Sequence, residues 1–380
     1  MFNTMRDLSF RKDFSYDSEF IKFKGGLLKM KLRQSPIIQT LYYALKLDVL
    51  SKYFSKAWER DVDAAMQQFL TKKELADNEL CNHIRKDIFK CYRICKSKPI
   101  EYFLFGLRNF DTAKRKTFIT DTEMLHMLSK TGTRKLHDLE LNHKGNFWKL
   151  CEPYFKRQVM IVANKDDYAQ FEKMAIELGK VICKPISMGC GGGIFVAEIK
   201  SKEDAKATFD KIIAYGGEWI IEEMIKQCAE MASWNPTSVN TIRFTTFKNK
   251  DGINFHSPFM RSGRKGSVVD NGGRGGIYAV INVETGEISS NGMDEYGNEY
   301  PVHPDSGIQY IGWQIPHFED LKKLAKEMHE SIMPEHKYIG WDFALTDKGW
   351  VVIEGNWGQY VCQQSCTKEG YKPIFEKYLK

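Results

Sequence analysis

Tyr338 to Trp357 reads YIGWDFALTDKGWVVIEGNW. Two short apolar runs, Tyr338–Leu345 and Trp350–Glu354, flank Thr346-Asp347-Lys348-Gly349. Aspartate opens turns and glycine accepts positive φ, so the stretch predicts a β-hairpin. With Asp347–Gly349 as the loop, Thr346 pairs with Trp350, and Asp342 falls opposite Glu354 on one face. The two-residue period of a strand puts Asn356 on that face as well. Facing carboxylates on an apolar surface lose hydration and repel, so they need a cation or one of them keeps its proton. Two carboxylates and an amide, all oxygen donors with room for water and phosphate, suit Mg2+. The alternative is an edge hairpin whose acids face water, and the rest of the chain has to decide between the two.

At 380 residues, 42% of them hydrophobic, the chain is long enough for two or three cores. No stretch approaches the roughly 20 apolar residues of a membrane span, and the opening MFNTMRDLSFRKDF lacks the apolar centre of a signal peptide, so the expectation is a cytoplasmic protein. Nine scattered cysteines without paired Cys-x-x-Cys knuckles read as reduced thiols. The net charge of +7 suits a phosphorylated or carboxylated small substrate; without a dense basic stripe or a recognised motif, no nucleic acid is expected. Residues 1–130 read as mostly helical, with Leu41, Ala44, Leu47 and Leu50 at helical spacing. From Ile21 to Lys56 the cations Lys22, Lys24, Lys29, Lys31, Arg33, Lys46, Lys52 and Lys56 stand against the single acid Asp48. Such a segment is either the solvated side of a helix or a contact with an anionic membrane's inner face.

Further along, Asp166 caps a predicted helix carrying Tyr168, Phe171, Met174, Ala175 and Leu178, which Gly179 ends. Val181–Pro185 reads as a strand, Ile186–Gly193 as a glycine-rich turn, and Ile194–Ile199 as a second strand. Ser201-Lys202-Glu203-Asp204 resembles a capping box opening a helix closed by Gly216-Gly217, and a third strand runs from Glu218 to Ile225. Backbone N–H groups of such a turn can fold over phosphate oxygens, and Lys184 adds a positive charge. It is neither a Walker A loop nor the dinucleotide fingerprint, and alone it reads equally as a plain hairpin turn. Lys184, directly before Pro185, is nevertheless costly to bury without an anionic partner. Asn240–Phe247 alternates as a half-buried strand, with Arg243 on the face of Thr241 and Thr245, either in a cleft or in a structural ion pair. Two glycine- and arginine-rich segments, Arg261–Gly266 and Asp270–Gly276, present arginine forks suited to carboxylates and phosphates. Phe318–Met333 is an amphipathic helix, and His303, His317, His329 and His336 show no ligand spacing.

Asp342 with Glu354-x-Asn356, the Val-Ile-Cys-Lys-Pro strand with its small-residue loop, and the strand Trp219–Ile225 together resemble the ATP-grasp superfamily. The segments Asn240-Thr241-Ile242-Arg243, Asp270-Asn271-Gly272-Gly273 and Ile353-Glu354-Gly355-Asn356 look most like its sugar-transfer-associated, hexapeptide-transferase-like branch. The resemblance implies an α+β fold of two lobes with mainly antiparallel sheets clasping ATP, over residues 131–220 and 221–380, behind a helical region over 1–130. It implies Mg2+ on Asp342, Glu354 and Asn356, and ATP phosphates on Lys144, Lys184 and a loop that includes Ser187, Gly191, Gly192 and Gly193. Lys149 competes with Lys144, since His143 stands where the family has an acid. Glu222, Glu223 and Ile225 would hold adenine and Glu230 the ribose; Arg243 and Arg261 would act in catalysis, with Arg261, Asn271 and Arg274 orienting the acceptor and Gln359 or Gln363 on the rim. Many peptide-forming relatives carry an arginine two residues before the metal-binding Asp, where this chain has Gly340. The implied activity joins a small-molecule carboxylate to an amine through an acylphosphate, on a sugar acid or amino-acid carboxylate of surface polysaccharide assembly. A kinase acting on a hydroxyl and a non-catalytic nucleotide-binding module are the alternatives, and the basic segment would serve any contact with a membrane or a glycosyltransferase complex.

Overall fold

In the computed structural model, residues 56–187, 192–267, 270, 275–357 and 360–379 are described. The basic segment up to Ser55, Gly191, Asn271, Arg274 and Gln359 lie outside them. The chain divides into two compact units, 1–60 and 61–380, and every element labelled here belongs to the second. Its first part is helical, as expected, including α1 (Asn78–Cys95), α2 (Asp121–Lys130) and α3 (Lys144–Phe155). Helix α1 is capped by Asp77, whose side chain accepts from the Leu80 amide, and it buries Ile84, Ile88, Cys91 and Cys95 along one stripe.

A four-stranded antiparallel sheet follows, built in chain order from β1 (Val159–Val162), α4 (Tyr168–Leu178), β2 (Lys180–Pro185), β3 (Phe195–Glu198), α5 (Lys202–Tyr215) and β4 (Trp219–Glu223). Its spatial order is β1-β4-β2-β3, so the expected hinge strand is an inner strand of this sheet. Alternation decides the two faces. Met160, Val162, Val181, Cys183, Trp219 and Ile221 bury against Phe171 and Met174 of α4 and Phe209 and Ile212 of α5, while Lys184 and Glu222 sit on the opposite parity. The predicted cap of α5 forms through Ser201 alone, whose hydroxyl accepts from the Asp204 amide; the Asp204 carboxylate reaches the Lys200 amide instead.

The second sheet has eight antiparallel strands: β5 (Thr241–Asn249), β6 (Gly252–Phe255), β7 (Phe259–Ser262), β8 (Ile277–Val280), β9 (Gly292–Met293), β10 (Glu299–Tyr300) and, after α6 (Phe318–Ser331), β11 (Tyr338–Thr346) and β12 (Gly349–Asn356). One face carries the core: Ile242, Phe244, Met260, Ile339, Trp341, Phe343, Trp350 and Val352 pack with Phe147 and Phe155 of α3 and Leu321, Ala325 and Met328 of α6. Full burial of side chains this size stabilises by about 1.5–3 kcal/mol each before entropy is counted. His303, His329 and His336 are fully buried packing residues; His329 bridges the Thr246 hydroxyl (2.7 Å) and the His336 carbonyl (2.8 Å).

Two closing helices, α7 (Val361–Thr367) and α8 (Lys372–Tyr378), join the helical region to this sheet. Gln364 accepts from the Ile119 amide at 2.9 Å and donates to the Ile119 carbonyl at 2.7 Å, and Ile119, Met124, Phe247, Tyr338, Tyr360 and Phe375 form one aromatic-rich core. Gln363 is fully buried and donates to the Ser257 carbonyl, so it is a packing residue and not part of a rim.

Candidate active site

The opening hairpin forms with a register that differs from the expected one twice. Thr346 pairs with Gly349 around Asp347-Lys348, and Gly349, just past those two residues, takes a φ of +86°, the left-handed position that follows a type I turn in a G1 bulge. Continued without interruption, that register would place Glu354 on the core face with Val352. Instead the ladder shifts between Asp342 and Phe343: Phe343 pairs with Val352, Asp342 pairs with Glu354, and Ile353 is the extra residue of a bulge. The bulge turns Glu354 and Asn356 onto the face of Asp342, while Gly355 turns toward α3, where a Cβ would lie 2.7 Å from Leu141 and 2.8 Å from Phe147.

That face continues across the sheet. Arg243 of β5 is the cross-strand partner of Asp342, and Arg261 of β7 pairs with Thr241. Arg243 binds both Asp342 oxygens, through Nε to Oδ1 and Nη2 to Oδ2 (3.0 Å), and Arg261 Nη2 donates to Oδ2 at 2.8 Å. Arg261 Nε also donates to the Thr241 hydroxyl (2.9 Å) and lies 3.5 Å from Asp270, which in turn accepts from the Thr241 backbone and hydroxyl. Burial alone would push the Asp342 carboxyl up, but Arg243 and Arg261 together outweigh it and hold it at about 2. Glu354 has no such partner. Burial, then the charge of Asp342, raises its pKa, and the Asn356 amide donates to it at 3.1 Å.

Three carboxylates, Asp270, Asp342 and Glu354, thus face two guanidinium groups, so the cluster is one positive charge short, and burial pushes the carboxyls of both Asp270 and Glu354 upward. A proton or a cation can make it good. Both Asp342 oxygens are taken by Arg243 and Arg261, so Glu354 and the Asn356 carbonyl oxygen are the donors open to a hard cation such as Mg2+, with water or phosphate completing its shell and Asp342 joining where an arginine lets go.

On the small sheet, Lys184 is half-buried with its Nζ 2.6 Å from Glu222 Oε1. The side chain of Glu222, a residue the resemblance places at adenine, lies between Lys184 and Arg157, whose Nε and Nη2 donate to Oε2 at 2.9 and 2.6 Å. Burial opposes its ionisation, but the two cations hold the carboxyl at about 2. Glu223 accepts from the Gln158 amide (3.0 Å), and Ile225 is half-buried beyond the end of β4. Arg157 escaped the sequence reading because it sits in the short connection between α3 and β1, without periodicity; an acid at an inner-facing strand position was the available signal that a second cation was needed.

Lys144 is the first residue of α3, and His143 replaces the usual acid as its cap, Nδ1 accepting from the Asn146 amide at 3.1 Å. The helix start lies against Ile161 of β1 and Ile186 ahead of the glycine loop, each 3.1 Å from where a Gly145 Cβ would stand, while Lys149 is exposed further along. Ser187 is exposed, and Gly192 and Gly193 form a turn leading into β3. Glu230 is exposed in a cavity beside the hairpin turn, lined also by Lys156, His317, Asp320 and Trp350; none of Lys184, Asp342 or Glu354 lines it.

No curated protein matches the sequence. Solved structures similar to the chain include D-alanyl-alanine synthetase A from Vibrio cholerae O1 biovar eltor str. N16961 (9% identity, TM-score 0.39, 64% of this chain and 66% of that one). Others are the ATP-grasp ligase PsnB in complex with a precursor variant, Mg and ADP (10%, 0.39, 65% and 60%), and D-alanine–D-alanine ligase from Bacillus anthracis (14%, 0.36, 63% and 66%). The chain thus spans between 60% and 66% of the length of these proteins. Residues 153–378, more than half of the chain, match the family model described as sugar-transfer associated ATP-grasp. With its two antiparallel α+β sheets behind a helical region, the chain has the ATP-grasp fold and belongs to the sugar-transfer associated ATP-grasp family.

Proposed function

We propose that the chain is an ATP-dependent carboxylate–amine ligase that works through an acylphosphate, on a sugar acid or amino-acid carboxylate of surface polysaccharide assembly. The observation that carries the reading is the single face on which Asp342, Glu354 and Asn356 stand with Arg243 and Arg261, tied by Arg157 and Glu222 to Lys184. Family membership supports the nucleotide; the arginine pair supports an anionic acceptor. Phosphoryl transfer needs positioning and charge neutralisation more than a protein nucleophile.

Lys144 and Lys184 would bind ATP's phosphates. Arg243 and Arg261, already desolvated, would align the acceptor carboxylate and neutralise charge spreading over the transferred group. One carboxylate oxygen attacks the γ-phosphorus, the bond to the β,γ-bridging oxygen breaks, and ADP leaves. An amine then attacks the acyl carbon, phosphate departs with the bonding pair, and the amine loses a proton. Asp342, Glu354 and Asn356 would hold Mg2+, which supplies positive charge to the phosphate oxygens when bound. At Gly340, where many peptide-forming relatives carry an arginine, Arg243 or Arg261 would supply that charge, or the chemistry differs there.

The test is an ADP-release screen over uronic acids, amino acids and amines, with hydroxylamine present to trap an acylphosphate. A hydroxamate formed in proportion to ADP supports the ligase. A stable phosphorylated product without an amine requirement identifies a kinase instead, and ATP binding with no ADP above background favours a non-catalytic module.

A further inference from the structure

Glu222 is held by two cations that differ in freedom. Arg157 uses every nitrogen: Nε and Nη2 on Glu222, and Nη1 on the carbonyls of Val352 (2.9 Å) and Phe155 (3.2 Å). Its guanidinium also lies 4.2 Å from the centre of the Phe155 ring, and its side chain is 4% exposed. Among the described residues Lys184 makes one ion pair, on a flexible stem, and its side chain is 12% exposed. Each cation takes a different oxygen of Glu222, so the lysine can leave without disturbing the arginine. The Val352 carbonyl that pins Arg157 belongs to β12, two residues before Glu354. A buried carboxylate with a single counter-charge holds that charge tightly, whereas one already neutralised by a fixed guanidinium can release a second.

We infer that Arg157 is a positioning residue that fixes Glu222 as a permanently neutralised carboxylate, so that the Lys184 ammonium can exchange from Glu222 to a nucleotide phosphate, in register with β12. The inference rests on the nucleotide reading of the site. It makes Glu222 the resting place of the lysine and Arg157 what sets how readily the lysine departs.

Binding of ATP with Mg2+ and of adenosine, measured by calorimetry on the full chain, separates this role from mere scaffolding. Arg157→Met leaves Lys184 as the sole partner of Glu222 and is expected to weaken ATP binding about 10-fold, the worth of one charge-assisted hydrogen bond, while adenosine binding stays within about 2-fold. Arg157→Met with Glu222→Gln frees the lysine and is expected to restore the ratio of ATP to adenosine affinity to within about 3-fold of wild type. Where thermal melting shows Arg157→Met unfolded, Arg157→Lys, which keeps a charge without the fork, takes its place with the same expectation in smaller measure. Unchanged ATP binding, equal loss of ATP and adenosine, or no rescue by Glu222→Gln overturns the inference. Wild-type chain that binds no ATP overturns the nucleotide reading itself, which variant-insensitive binding by the wild type would leave standing.

Discussion

Glu222→Gln should remove a part of the stability that depends on pH. The carboxyl is held at about 2 in the folded chain against an ordinary 4.5, because Lys184 and Arg157 outweigh its burial. A depressed carboxylate contributes stability that is complete above about pH 4.5 and is lost as pH falls toward 2, since the unfolded chain takes up the proton first. The separation of roughly 2.5 pH units corresponds to about 3 kcal/mol at 1.36 kcal/mol per unit. That agrees with the 3–5 kcal/mol typical of removing one partner from a buried ion pair. Urea unfolding of wild type and Glu222→Gln at pH 6 and pH 3 measures it, because all other titrating groups are shared and cancel in the difference. Wild type is expected to lead by about 3 kcal/mol at pH 6, and the lead to shrink by about 2 kcal/mol at pH 3. A lead of the same size at both values would refute the assignment of Glu222 as an ionised, doubly paired group.

Deleting Ile353 removes the bulge and lets Glu354 follow Val352 directly, still paired with Asp342 and on the face away from Val352, so cooperative thermal unfolding, read by circular dichroism, is expected to survive the deletion. Gly355→Ala puts a methyl group 2.7 Å from Leu141 and 2.8 Å from Phe147 and should destabilise by about 1–3 kcal/mol in the same urea assay. Cys91, Cys151 and Cys183 are buried, with thiols pushed to about 12, so at pH 8 they should stay silent toward a disulfide reagent until denaturant is added, whereas the half-buried Cys81 reacts in the native chain.

The hairpin shows what was legible and why. Its turn chemistry and the pairing of Asp342 with Glu354 follow from residue types, yet the expected three-residue loop was one residue too long, and the bulge at Ile353 compensated for it. A bulge leaves no mark in alternation within an all-apolar run such as Trp350–Ile353, so the correct pairing rested on two offsetting shifts. The strands around Lys184 and the helix over Tyr168–Leu178 were readable because each has a buried side and a punctuating glycine or proline. The partners of Glu222 were not. The sequence asks for an anionic partner of Lys184 without naming Glu222, and Arg157, 65 positions before Glu222, reaches it only because β1 lies against β4. The helical region likewise gave no sign that Ile119 would join Gln364, a contact spanning 245 positions that depends on the helical region meeting α7. Non-local pairing of polar groups has no period for a sequence to display.

The central claim is that the face formed by Asp342, Glu354 and Asn356 holds the magnesium of a bound nucleotide. Calorimetric titration of ATP into wild type and Glu354→Gln, with Mg2+ and again with a chelator, tests it directly, both chains first shown to melt alike. Wild type should bind ATP with Mg2+ and lose at least about tenfold in affinity either with the chelator or on replacing Glu354. Equal ATP affinity for both chains, or wild-type binding indifferent to the chelator, would contradict it.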